Sequence, residues 1–149
     1  MEYDSARGIN TELRDRIQAA GKRADALMAQ TCAGSPSFEE LVVAVKEYTR
    51  IRYLLEPEDM KEDVMRYLGE LSLARGLGMP VEQVRRTELD TKCKDTSSEM
   101  TKKILLVISL NKALGINIDE TQTAEITSMS AIAEEAARQY LARRADAVA

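Results

Sequence analysis

The stretch Thr91–Leu141, TKCKDTSSEMTKKILLVISLNKALGINIDETQTAEITSMSAIAEEAARQYL, decides the fold. It reads as a helix, a turn carrying two apolar residues, a very short helix and a final helix. The first of these opens near Thr96–Glu99, where a hydroxyl and a carboxylate three residues apart can satisfy each other's free amides. It runs to Leu114 and stops at Gly115, the residue type that takes a left-handed C-cap at least cost. Its middle, Ile104 to Ile108, is apolar nearly all round. That predicts a central helix buried on most sides, with an exposed docking face as the competing reading. Asp119 caps the short helix through Ile126, and Thr127 or Ser128 caps the last one. That last helix carries Met129, Ile132, Ala133, Ala136, Tyr140 and Leu141 inward.

Upstream, Ile9, Leu13, Ile17, Ala20, Ala24, Leu27 and Met28 recur at three- and four-residue steps, which predicts a first helix over 11–30. Gly34 and Pro36 stop it, and Ser37 with Glu40 forms a second capping box. A second helix is expected over 38–55, with Phe38, Leu41, Val42, Val45, Tyr48 and Arg52 on one face. Pro57 followed by Glu58, Asp59, Glu62 and Asp63 suits a helix start, because proline tolerates the first turn and acids favour its positive end. The third helix then places Met60, Val64, Tyr67, Leu68, Leu71 and Ala74 inward and ends at Gly76, Gly78 and Pro80. Residues 80–98 read as a long polar connection anchored by Val81, Val84 and Leu89.

The whole chain of 149 residues is 44% hydrophobic, mostly aliphatic, with one Phe, five Tyr and no Trp. Sparse Gly and Pro with long turn-free stretches favour an all-α bundle. No apolar run reaches the roughly 18–20 residues of a membrane helix, and the start of the chain lacks an apolar signal core, so a cytoplasmic home is expected. A net charge of -4 from 25 acids and 21 bases, well mixed, offers no general attraction to nucleic acid or anionic membrane. There is no histidine, which removes the commonest general base and zinc ligand. A protein that is not an enzyme is therefore expected. Cys93, between Lys92 and Lys94, is the one candidate nucleophile, since the flanking charges favour a thiolate, but an ordinary loop residue is the simpler reading. Cys32 reads as packing.

From Pro57 to Leu141 the order of elements resembles the acyl carrier protein family. LGINIDETQTAEITSM, Leu114–Met129, is similar to that family's turn, acidic short helix and Ile-Thr-Thr-Val entry to the last helix. LGMPVEQV, Leu77–Val84, is similar to the Leu-Gly turn after its first helix. The resemblance implies an acyl-carrier-like four-helix bundle over about 57–145, within a 57–149 unit. It leaves 1–56 as an added N-terminal helical hairpin with no counterpart, expected to pack on the rest because the Glu56–Pro57 junction is too short for a free linker.

The same resemblance implies a 4′-phosphopantetheine cofactor on a serine at the start of the central helix, where free amides and the helix dipole favour its phosphate. It also implies an acyl thioester cargo. The matching stretch here is Asp95-Thr96-Ser97-Ser98-Glu99-Met100, without the family's Asp-Ser-Leu or Asp-Ser-Met. Counting back from Leu114 without a gap puts Met100 at the attachment position; a two-residue insertion brings Ser98 there and a three-residue one Ser97. Ser98 is the leading candidate, Ser97 the alternative, and Asp95 fits either; helix capping alone is the competing role of these hydroxyls. Leu105, Ile108, Leu114, Ile118 and Ile126 are the residues expected to line an acyl pocket. The family's central helix is acidic, whereas this one carries Lys102, Lys103 and Lys112, which points to partner enzymes with acidic docking patches. An unmodified helical-bundle interaction module, with the same lysines or the hairpin as its contact face, remains the alternative function.

Overall fold

Ala20, Ala24 and Met28 are fully buried at four-residue intervals, and this stripe fixes how the first helix, α1 (Glu2–Ala33), lies on the core. The computed structural model describes residues 2–90 and 98–148, with side chains over 11–86 and 98–147. Ile17, on the same sequence stripe, is 45% exposed, so the stripe is not seated along its whole length. α2 (Phe38–Arg52) starts at the predicted capping box: Ser37 Oγ accepts from the Glu40 amide at 3.2 Å, and the Ser37 amide donates to Glu40 Oε1 at 3.4 Å. Leu41, Ala44, Val45, Tyr48 and Thr49 form its buried face.

The second helix ends three residues earlier than its apolar period suggests. Leu54 adopts a left-handed φ of 58°, its amide donates to Ile51 O at 3.1 Å, and the Leu55 amide reaches back to Arg50 O at 3.0 Å. That is a Schellman closure with leucine in the place glycine usually takes. Tyr53 and Leu55 are still buried at 3% each, because the turn folds them back into the core.

The third helix also departs from expectation. Pro57–Lys61 is a 3₁₀ turn, closed by the Asp59 carboxylate accepting the Glu56 amide at 2.8 Å. The chain then straightens so that Val64 can bridge Ser128, with Met65 N donating to Thr127 O at 2.9 Å and Met129 N to Asp63 O at 2.7 Å. Asp63 also accepts from the Ser130 amide and hydroxyl, both at 2.8 Å. Helix α3 (Met65–Leu77) begins only after this clasp. The predicted loop over 80–98 contains a helix, α4 (Val81–Asp90), whose Val84 is buried at 4%. Two of its three expected anchors, Val81 and Val84, stand three apart, a helical spacing that the polar residues between them obscured.

Beyond these, α5 (Ser98–Leu114), α6 (Glu120–Glu125) and α7 (Met129–Val148) complete an all-α bundle with no strand among the described residues. α6 carries its predicted Asp119 cap, and Gln122 completes a box: the Asp119 carboxylate accepts the Gln122 amide at 2.8 Å and Gln122 Oε1 accepts the Asp119 amide at 3.1 Å. Ser128 Oγ caps α7 by accepting the Ala131 amide at 3.0 Å. One continuous core joins Met28, Tyr48, Leu68, Leu110 and Ile132 from α1, α2, α3, α5 and α7. α2 lies between α1 and α7, and α5 packs chiefly on α3. At that crossing Gly69 permits a close approach: a Cβ there would sit 2.7 Å from Glu99 Cβ.

Candidate functional site

The two faces of α5 divide its apolar residues. Leu106, Val107, Leu110 and Leu114 are at most 3% exposed and belong to the core. Ile104, Leu105 and Ile108, on the opposite side, are 39%, 57% and 55% exposed. A helix that needed only to fold would place polar residues there, so the exposed trio is apolar area that the folded chain leaves open. Among the described residues this corrects the expectation of burial on most sides.

Beside the trio, α5 and α6 enclose a cleft of about 280 Å³. Met100, Ile104 and Ile108 line one wall, and Ile118, Thr123 and Ala124 the other. Asn111 holds the two walls in register, its amide donating to Ile118 O at 3.0 Å and accepting the Ile118 amide at 2.9 Å. Thr123 turns its hydroxyl back to Asp119 O at 2.7 Å, which leaves its methyl group to the cleft. Sequence reading singled out neither Asn111 nor Thr123. An asparagine four positions before a glycine stop was the available signal, and it reads equally well as a surface polar residue.

Of the residues expected to form an acyl pocket, Ile108 and Ile118 meet in this cleft. Leu105 is exposed and outside its lining, Leu114 is buried in the core, and Ile126 packs partly buried against that core. Ser98 is the first residue of α5 and is exposed. Ser97, Asp95 and Cys93 lie outside the described residues. Met100, the residue reached by gapless counting, lines the cleft. Near the start of α5, Glu99 lies 3.7 Å from Arg66, which also sits 3.5 Å from the buried Glu70; Arg85 of α4 completes the group at 2.5 Å from Glu70. These pairs fasten α4 and α3 close to the helix that begins at Ser98.

The lysines are arranged differently from the expected basic face. Lys102 and Lys103 stand four and three residues before Leu106, hence on its side of the helix. Lys102 places its ammonium 5.3 Å from the centre of the Tyr53 ring, a cation–π contact, and burial pushes its pKa down. Lys103 is 6% exposed with no ion pair to a described residue, and burial pushes its pKa down as well. Only Lys112 of the three is exposed. The Tyr53 hydroxyl is buried without a hydrogen-bond partner among the described residues, and burial raises its pKa.

The site is therefore an apolar cleft and ridge on one helix face, with a hydroxyl at the helix start and the exposed Lys112 toward the far end. Its chemistry is suited to holding an apolar group, and among the described residues no cluster of His, Cys, Asp or Glu could hold a metal ion. No helix of the described residues is long and apolar enough to cross a membrane. Set against protein families, curated proteins and solved structures, the chain matches none of them.

Proposed function

We propose that this chain is a non-enzymatic acyl-carrier-like protein in which Ser98 bears a 4′-phosphopantetheine arm and the cleft between α5 and α6 shelters the apolar end of its acyl cargo. The observation that supports it is the juxtaposition of that cleft with the helix that starts at Ser98. Exposed at the first position of α5, Ser98 would seat the phosphate near amides that have no intrahelical partner, where the dipole favours negative charge. When bound, the group supplies a thiol for thioester linkage. The chain's own residues do the rest: Met100, Ile104, Ile108 and Ile118 exclude water from the cargo, and Asn111 keeps the cleft open. The exposed Leu105 and Ile108 would meet the biosynthetic enzymes that load and unload the carrier, with Lys112 pairing to an acidic residue on them. A cytoplasmic setting goes with this reading. Incubation with a broad-specificity phosphopantetheinyl transferase and coenzyme A should raise the intact mass by one prosthetic group, and Ser98→Ala should abolish the gain. A folded protein whose mass stays unchanged would sink the carrier mechanism.

A second reading has its own support. Met100 occupies the position that gapless counting assigns to the attachment serine, and it faces the cleft. An unmodified interaction module would use the same ridge of Ile104, Leu105 and Ile108 for a partner helix. Replacing both Ser97 and Ser98 by alanine separates the two: a module keeps its function and a carrier loses it.

A further inference from the structure

A second cleft, of about 460 Å³, lies between α1 and the closing turn of α2. Its lining combines three guanidinium groups and one carboxylate with an apolar wall: Arg16, Arg23 and Arg50, with Glu56 beside Arg50, against Ile51, Leu54 and Leu55. Arg16 and Arg23 are seven residues apart, with Ala19 of the lining between them, so both arise from one face of α1 two turns apart. Neither makes an ion pair with a described residue.

Arg50 is held in place. Its Nε donates to both Glu47 carboxylate oxygens at 3.0 Å, and its Nη1 donates to Leu55 O at 3.0 Å. Glu47 and Glu56, the acids facing it, offset its charge. Arg16 and Arg23 therefore supply the unspent positive charge of the cleft. They are exposed, with the reach to converge on one group between them. Their planar, forked donors match the tetrahedral oxygens of a phosphate better than a point cation does. The wall is also particular: Leu54 sits at φ 58°, where glycine would be the unstrained choice, and its side chain lines the cleft.

We infer that this cleft binds a small phosphomonoester, with Arg16 and Arg23 clasping the phosphate and the Ile51–Leu54–Leu55 wall covering an apolar body. Charge and shape together select such a ligand. An anion alone would leave the wall unused, and an apolar molecule alone would leave two guanidiniums unpaired.

The test is a titration of the full chain, isotope-labelled, with phenyl phosphate, inorganic phosphate, phenol and a tetraglutamate peptide at fixed ionic strength, following amide shifts. Phenyl phosphate should saturate with shifts confined to residues 16–23 and 50–56. It should bind about tenfold or more tightly than inorganic phosphate or phenol, as roughly one apolar face and one charge-assisted pair imply. The Arg16→Ala/Arg23→Ala double variant, altered only at exposed positions, should lose at least about tenfold in affinity while its spectrum stays dispersed, and Arg16→Lys/Arg23→Lys should recover only part. Equal binding by wild type and the alanine variant would overturn the inference. So would inorganic phosphate binding as tightly as phenyl phosphate, or tetraglutamate binding more tightly at the same residues.

Discussion

α5 and α7 are both long helices rich in small and aliphatic residues, yet they use them in opposite ways. In α7, Met129, Ile132, Ala133, Ala136 and Ala137 are all at most 1% exposed, and its alanines let α2 pack closely. In α5 the apolar residues are shared between the core and a ridge that is about half exposed. The lesson is that α7 commits these apolar residues to the core, whereas α5 carries apolar area that the folded chain does not bury. Such area contributes nothing to stability at roughly 25 cal/mol per Å² until something covers it. Stability and binding should therefore be separable on α5 and inseparable on α7.

The sharpest way to break that contrast lies within α5 itself. Leu110 is fully buried and Leu105 is 57% exposed. Leu110→Ala should cost about 2–5 kcal/mol by urea denaturation, through lost transfer energy and a cavity. Leu105→Ala should stay within about 0.5 kcal/mol of the parent. Equal losses would mean that the ridge is buried in the folded monomer and the contrast is wrong.

A smaller effect tests how α5 is positioned against α3. Alanine at Gly69 would bring a Cβ to 2.7 Å from Glu99 Cβ and 3.2 Å from Glu99 Cα. Backbone, and not a flexible side-chain end, has to move, so Gly69→Ala should destabilise by about 1–3 kcal/mol in thermal melts. A neutral result would show that α3 and α5 pack farther apart than described.

The smallest effect has the opposite sign. Lys103 sits on the buried side of α5 with its pKa pushed down by burial. The unfolded chain then holds that proton more firmly than the folded one. The penalty is fully present below the lowered folded pKa and fades as pH rises toward the ordinary lysine value of about 10.4. Lys103→Met should accordingly raise stability by about 1 kcal/mol near neutral pH, with the gain shrinking on the alkaline side. A loss of stability at neutral pH would reveal a favourable contact for the ammonium that outweighs its desolvation.

Much of the fold was legible because its signals are local. Ser37 with Glu40, Asp119, and Gly115 each act within a few residues, and each bounds its helix where the chain says it should. The misreadings have a different origin. Pro57 with its acids has every mark of an α-helix start, but the chain breaks at 62–64 because Val64 and Asp63 are claimed by Ser128 and Ser130, more than sixty residues away. The apolar period of α2 runs on to Leu55, yet Leu54 turns left-handed so that Leu55 can be buried from another direction. At the candidate site, Ile108 and Ile118 could be named from sequence, while the cleft between them depends on Asn111 bridging α5 to the following turn. Neither lysine could be turned inward on paper, because charge argues outward and only the spacing to Leu106 argues inward.

What the sequence by itself determined is the all-α class and the caps at Ser37, Gly115, Asp119 and Ser128, since period and capping energies are set by neighbours along the chain. Which apolar residues of α5 face solvent, and which arginines of α1 and α2 share a cleft, only the tertiary structure decided. Those facts depend on where a helix is docked, and docking is settled by area buried against distant elements and not by any local preference.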